Sequence, residues 1–291
     1  SMPMEIITDD VAETMRAGFN WRERDGLRML VCTPLEKDGF ANGFSTRLGG
    51  VSPMPSDSLN LAGFVDDEAE NIYENRRRFL GMFDDTWTLT ACWQMHSADV
   101  RTVRDLEDAR CDTENCDALI TSASQILLGV KTADCVPVII GDAVTGACAA
   151  IHAGWRGTVA EIVPDTIKRM AAEFGTRTED IRAAFGPAAG GCCDEVGAEV
   201  IEGLHRCFES AEDLMTSTRE NHACVDLQRA NYLQLVSSDV AAERIHIAPL
   251  CTMCRTDLFF SYRREKALHG RTGRLMSVIG RRANFSLPNA N

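Results

Sequence analysis

Three short segments carry the residue types that do chemistry: Gln94-Met95-His96-Ser97, Thr132-Ala133-Asp134-Cys135 and His152-Ala153-Gly154-Trp155-Arg156-Gly157. Each sets an imidazole or a thiol at the end of an apolar, strand-like run, beside residues that permit tight turns. Two imidazoles and one thiolate are the donor set of a catalytic zinc site, whose fourth position stays open to water or substrate. A zinc held by His96, Cys135 and His152 would lower the pKa of a bound water or polarise a substrate oxygen. The same residues permit a metal-free reading, with Cys135 as a thiolate nucleophile beside a histidine that Asp134 orients. Residue types alone leave both readings open, and a histidine at a strand end is more often structural than catalytic.

Anion-binding candidates surround these segments. Arg156 sits between Gly154 and Gly157 where the chain runs into an expected helix, a setting in which backbone N–H groups and a guanidinium can hold phosphate. A tight strand-to-helix turn with Trp155 in the core fits the same residues. Arg47 precedes Gly49-Gly50 and is a second candidate anion contact. Phe259, Phe260 and Tyr262 run into Arg263 and Arg264, a pattern able to stack a planar base and bind charge, although Phe259 and Phe260 read first as core. Cys251-Thr-Met-Cys254 resembles half of a four-cysteine zinc site, but the chain has no second Cys-x-x-Cys. The adjacent pair Cys192-Cys193 is poorly spaced for joint ligation, so no structural zinc is expected from them. His205, His222, His246 and His269 have no comparable neighbourhood, and no glycine-rich phosphate loop is present.

The elements that must position these residues follow from periodicity. Val11 to Ala17 reads as a short helix; Met29 to Pro34 and Phe40 to Thr46 read as strands, followed by a turn-rich stretch from Leu48. Asp66 or Asp67 can cap a helix bearing Ile72, Phe79 and Leu80. Alternation from Trp87 to Met95 predicts a half-buried strand ending at His96, then a short strand over Val100 to Val103 and a polar loop from Asp105 to Asn115. Ile126 to Lys131, Val136 to Asp142 and Ala147 to His152 are apolar runs suited to strands buried on both faces. A helix is expected over Val159 to Phe174, stopped by Gly175, then a strand over Ile181 to Phe185. Helices over Asp194 to Cys207 and Asp226 to Val236, and strands over Ile245 to Ile247, Leu258 to Tyr262 and Leu275 to Ile279, complete the reading. It predicts one α+β domain with mixed β-sheets flanked by helices, covering 28–284, after an N-terminal extension over 1–27 and before a tail over 285–291.

Composition bounds the function. At 291 residues, 45% hydrophobic and 25% charged, the chain can bury a core without staples, so a metal would serve chemistry. The formal net charge of −13 disfavours a nucleic-acid partner. The most apolar stretch, Ile126 to Ile140, is broken by Lys131, Asp134 and Pro137 and cannot span a bilayer. No basic-then-apolar leader opens the sequence, and Ser1 before Met2 resembles a tag scar, so a cytoplasmic protein without a membrane partner is expected. Twelve cysteines in such a chain read as reduced thiols, with Cys32, Cys92, Cys148 and Cys207 as small core hydrophobes.

With the motifs in view, a family resemblance can be stated. Gly43-Phe-Ser-Thr-Arg-Leu-Gly-Gly-Val-Ser, Ser58-Leu-Asn-Leu, Gln94-Met-His-Ser, Val130-Lys-Thr-Ala-Asp-Cys-Val-Pro-Val and Ala150-Ile-His-Ala-Gly-Trp-Arg-Gly-Thr resemble, in order, the laccase-domain (YfiH-like) family. So do Cys251-Thr-x-x-Cys, Phe260-Ser-Tyr-Arg-Arg and Thr272-Gly-Arg, and the likeness spans about residues 40 to 280. It implies a YfiH-like α+β fold, and Zn²⁺ on His96, Cys135 and His152, with copper as the alternative metal. It also implies phosphorolysis of adenosine, inosine, guanosine and methylthioadenosine, adenosine deaminase activity, and an older assignment as a copper-dependent polyphenol oxidase. Nucleoside and phosphate are then the small-molecule partners, with Arg47, Arg156 and Arg263 as their contacts and Asp134, Cys135 and His152 as catalytic residues. The chain departs from the family pattern at Gly186-Pro-Ala188-Ala and at Asp194, where an aromatic residue is usual, which puts substrate preference in question. A cysteine–histidine amide hydrolase acting on a cell-wall precursor and a thiol-based binding or redox module are the rival readings.

Overall fold

Strands buried on both faces divide their side chains between two cores, and the central runs of this chain do so residue by residue. In the computed structural model, which describes residues 8–54, 58–63, 67–111 and 114–284, Ile126, Leu128 and Val130 of β8 (Ile126–Thr132) face one core while Leu127 faces another. In β9 (Val136–Asp142), Val136, Val138 and Ile140 turn one way and Ile139 the other; in β10 (Cys148–Ala153), Ala149 and Ile151 oppose Cys148 and Ala150.

Two six-stranded sheets follow from this. The first runs β1 (Phe19–Arg24), β2 (Leu27–Cys32), β3 (Phe40–Ser45), β16 (Leu275–Arg281), β8, β5 (Thr88–Thr90), antiparallel except for the β5–β8 pair. The second runs β15 (Ile245–Ile247), β11 (Ile181–Phe185), β9, β10, β7 (Ala118–Thr121), β6 (Val100–Thr102); its two outer pairs are parallel and the inner ones antiparallel. Strands β8 and β16 pack on β9 and β10, so the sheets lie face to face around Leu30, Phe44, Leu128, Ile139, Ala150 and Phe259. Helix α3 (Ala69–Leu80) closes the outer face of the first sheet through Phe79 and buries Ile72 as well. Helices α6 (Ile162–Phe174), α7 (Ala198–Cys207) and α8 (Leu227–Ser237) close the outer face of the second. A small sheet, β12 (Glu195–Val196), β14 (His222–Val225), β13 (Met215–Arg219), extends that side. The remaining elements are short: α1 (Thr8–Arg16), α2 (Thr33–Lys37), β4 (Leu48–Ser52), α4 (Leu106–Ala109), α5 (Trp155–Val159) and α9 (Tyr262–His269). This is the expected single α+β domain with mixed sheets. No helix among the described residues is long and apolar enough to cross a membrane.

Several elements differ from the sequence reading, each for a physical reason. The strand expected over Trp87 to Met95 stops at Thr90. Beyond it, Gln94 replaces the ladder with its side chain, whose amide donates to Lys131 O at 2.7 Å and accepts from Lys131 N at 2.8 Å. The helix expected from Val159 instead begins at Trp155 and breaks at Glu161, whose φ is +62°. The break is supported by α8, where Asn231 bonds Thr158 Oγ1 and Gln234 bonds Thr158 O. The strand expected over Leu258 to Tyr262 is irregular and ends in α9, whose first turn is capped by Ser261. The helix expected from Asp194 starts at Ala198 because Glu195 and Val196 pair with β14. Within the 1–27 extension, β1 is the edge strand of the first sheet. Ser1 and the 285–291 tail lie outside the described residues.

Candidate metal centre and active site

The chain passes between the two sheets at two places that matter here. His96 lies in the β5–β6 passage, Cys135 in the β8–β9 passage, and His152 points from β10 beside them. The donor atoms of His96, Cys135 and His152 all lie within 4.8 Å of one another. The two imidazole rings meet edge to face, with centroids 5.0 Å apart.

The backbone is forced to reach this arrangement. His96 (φ +57°) and Asp134 (φ +96°) both adopt left-handed conformations that L residues avoid. Asp117, fully buried at the start of β7, holds the first of these passages. It accepts the backbone N–H groups of Met95, His96 and Ser97, the Ser97 hydroxyl at 2.6 Å, and stands 2.9 Å from His152 Nδ1. One carboxylate thus fixes the His96 loop and orients the His152 ring, leaving Nε2 of His152 as its free ligand atom. Gly154 completes the cradle. A Cβ there would meet Cys135 Sγ at 3.1 Å, His96 Cδ2 at 3.3 Å and His152 Cε1 at 3.9 Å.

Electrostatics follow the geometry. Burial works against the Asp117 carboxylate, but the His152 and Ser97 donors outweigh it and hold the group near about 2. Burial likewise disfavours the Cys135 thiolate, yet His152 and His96 bring the thiol down to about 6. His152 is raised to about 9, since Cys135 and Asp117 outweigh its burial. By contrast, burial pushes the core thiols Cys32 and Cys148 up to about 12. The pull of His152 and His96 thus favours the Cys135 thiolate, the form that binds metal or attacks a substrate. Two imidazoles and a thiolate in a glycine-lined cradle, with one imidazole anchored by a carboxylate, fit a zinc ion.

These residues open onto a cavity of about 700 Å³. Its wall is partly aromatic and apolar, with Trp93, Tyr262, Trp155, Val196 and Leu227, and partly cationic, with Arg76, Lys131, Arg263 and Arg274. Trp93 and Tyr262 are large and 49% and 44% exposed, and the Arg274 guanidinium and the Lys266 ammonium stand 5.7 and 5.9 Å from the centre of the Tyr262 ring. Asp194 also lines it, buried and 3.0 Å from Arg263. Burial raises the Asp194 carboxyl to about 7 against the pull of Arg263, with Asp134 and Cys135 adding to the rise.

The expected contacts distribute unevenly. Arg263 reaches the cavity, where it bonds Asp194 and the carbonyl of Glu195. Arg47 does not line it: its guanidinium is paired with Glu265 at 3.1 Å, bonded to the carbonyls of Thr256 and Met54, and laid over Phe260. Arg156 is exposed on α5, stacked over Trp155 at 4.5 Å, and does not line the cavity either. Asp134 sits in the wall with its carboxylate taken up by Thr252 Oγ1, Ser261 Oγ and Arg263 N. The residue that orients His152 is Asp117, not Asp134.

Comparison with known proteins decides the lineage. A family model described as multi-copper polyphenol oxidoreductase laccase matches residues 41–282. The chain belongs to this family. Purine nucleoside phosphorylase YlmD of Geobacillus stearothermophilus is 33% identical over 258 residues, covering 85% of this chain and 92% of that protein. Adenosine deaminase RL5, from an unknown prokaryotic organism, is 34% identical over 255 residues, covering 82% and 96%. Among solved structures, the hypothetical protein YfiH of Bacillus licheniformis superposes with a TM-score of 0.83 at 29% identity, covering 90% of this chain and 99% of that one.

Within the laccase-domain family frame, sequence reasoning missed four things. Asp117 is a lone acid before a strand, and its only signal was a charge entering an otherwise buried run. Arg76 and Lys131 lay in segments read for helix and strand patterning, and Arg274 was noticed only as part of Thr272-Gly-Arg. The fourth is the thiol cluster: the sulfurs of Cys192, Cys193, Cys251 and Cys254 come within 4.8 Å of one another, although neither pair by itself pointed to a zinc site.

Proposed function

We propose that this protein is a zinc-dependent purine nucleoside phosphorylase, acting on adenosine, inosine, guanosine or methylthioadenosine, with adenosine deamination as a side activity. The observation that carries the reading is a Cys–His₂ donor set opening onto a cavity with aromatic faces and a cationic wall. His96, Cys135 and His152 would hold the zinc, which when bound supplies Lewis acidity and an activated water.

The chain's own residues account for the rest of phosphorolysis. A phosphate oxygen must bond to C1′ of the ribose as the bond from C1′ to the base breaks, so both partners need fixed positions. Arg76, Lys131 and Arg274 supply the positive wall for phosphate, the part first expected of Arg47 and Arg156. Trp93 offers an aromatic face for the purine, and Tyr262 lines the same cavity. The departing base takes up a proton, and Asp194, whose carboxyl is raised to about 7, can deliver one near neutral pH. Asp134, saturated by three donors, serves to hold the 261–263 segment in place.

The Cys135–His152–Asp117 relay gives a second reading, a cysteine-type amide hydrolase. Polyphenol oxidation with several coppers has less support, because such sites need several histidine-rich clusters and the described residues pair only His96 with His152. The test is product analysis by mass spectrometry of zinc-loaded protein with adenosine, inosine and methylthioadenosine, each with and without phosphate. Free base plus ribose 1-phosphate, formed only with phosphate and lost in Cys135→Ala, is the expected result, with Arg274→Ala raising the KM for phosphate by roughly tenfold. Nucleosides left intact in every reaction would overturn the proposal and favour amide hydrolysis.

A further inference from the structure

The second thiol group lies outside the centre described above. Cys192 and Cys193 occupy the turn between β11 and β12, and Cys251 and Cys254 the turn that follows β15. The Sγ of Cys254 stands 3.6 Å from that of Cys192 and 3.4 Å from that of Cys193, and all four sulfurs fall within 4.8 Å. Zn–S bonds of about 2.3 Å in a tetrahedron set sulfurs about 3.8 Å apart. A disulfide would need about 2.05 Å between two of them. The spacing is that of a four-sulfur cage.

Hydrogen-bond donors and a cation face the cluster. Gly190 N–H donates to Cys251 Sγ at 3.2 Å, and the backbone N–H groups of Met253 and Cys254 face the same sulfur. Arg264 places its guanidinium 3.8 Å from Cys193 Sγ, where it offsets the surplus negative charge of four thiolates around a divalent ion.

We propose that Cys192, Cys193, Cys251 and Cys254 form a second metal site, a closed tetrathiolate zinc centre with a structural role. Four protein ligands leave no open position, so the site does no chemistry. It clamps two turns that build the cavity wall. Asp194 directly follows Cys193, and Thr252, between the paired cysteines, donates its N–H to Ala188 O and its hydroxyl to Asp134. The clamp therefore sets the positions of the two acids beside the first centre.

Metal analysis of the full chain tests this. Purified protein should hold two equivalents of zinc. Cys135→Ala should lose one and keep the other, and Cys254→Ser should do the converse. Cobalt(II) loaded into Cys135→Ala, which leaves all four thiols in place, should give the intense visible and near-ultraviolet thiolate bands of a four-sulfur tetrahedral ion, a readout that needs no variant of the cluster to fold. A single equivalent of zinc, lost entirely in Cys135→Ala, would overturn the proposal. So would a cobalt spectrum without those bands, or a disulfide among these cysteines in the freshly purified protein.

Discussion

Asp117 shows how much one residue can determine. It takes three successive backbone N–H groups and a hydroxyl while orienting an imidazole, so its charge stabilises a loop and a ligand together. Asp117→Asn keeps the shape but turns one acceptor oxygen into a donor facing N–H groups. Zinc affinity should fall about 10–100-fold, measured by competition with a chelator; unchanged affinity would remove the orienting role. Asp194 makes a pH-dependent prediction. Its carboxyl is raised to about 7 from an ordinary 3.8, so the fold keeps a proton that the unfolded chain releases. The stability this gives is fully present below about 4 and is lost as pH rises through about 7. As the proposed acid, Asp194 should make kcat fall over the same rise, and Asp194→Asn should lower kcat roughly a hundredfold with that limb gone. A limb that survives in the variant would assign the proton elsewhere.

At the scale of elements, α9 depends on an ion pair that does not line the cavity. Arg47 and Glu265 have side chains only 10% and 9% exposed, and Arg47 ties the end of β3 to the 256–259 segment and to α9. Arg47→Ala should destabilise the protein by about 3–5 kcal/mol, because it leaves the buried Glu265 carboxylate without its counter-charge. Adding Glu265→Gln should recover part of this, and thermal melts compare the two. The KM for phosphate, measured on folded protein, should not move; a large rise would return Arg47 to the list of phosphate contacts. This element also marks the limit of reading by pattern. The apolar runs of β8, β9 and β10 were legible because alternate residues meet different cores. His96, Cys135 and His152 stood out as the imidazoles and thiol of three family-like motifs, and the fold brings their donor atoms within 4.8 Å of one another. Asp117, Lys131 and Arg76 were not, since an acid or base acquires its role only from neighbours distant in sequence. Arg47 misled for the same reason: a guanidinium beside glycines reads as an anion contact until Glu265, far along the chain, is seen to fill it. Cys192-Cys193 and Cys251-x-x-Cys254 were read separately because only the sheet order brings their turns together.

For the whole molecule, the two sheets share one interior, so neither stands without the other. Ile139, fully buried, points from the second sheet into that shared interior. Ile139→Ala should cost about 2–5 kcal/mol, and denaturation followed by fluorescence and by circular dichroism should still give one coincident transition. Two separated transitions would mean that the sheets unfold as independent units.

The passages of chain between the sheets have a mechanical meaning. His96 and Cys135 each sit where the polypeptide leaves one sheet for the other, and His152 stands on the far side. Anything that grips all three is a rivet through the sandwich. Sliding of one sheet over the other must pull the rivet apart, so filling the site and stiffening the molecule are one event, and slowed amide exchange along β8, β9 and β10 would register it before any product forms.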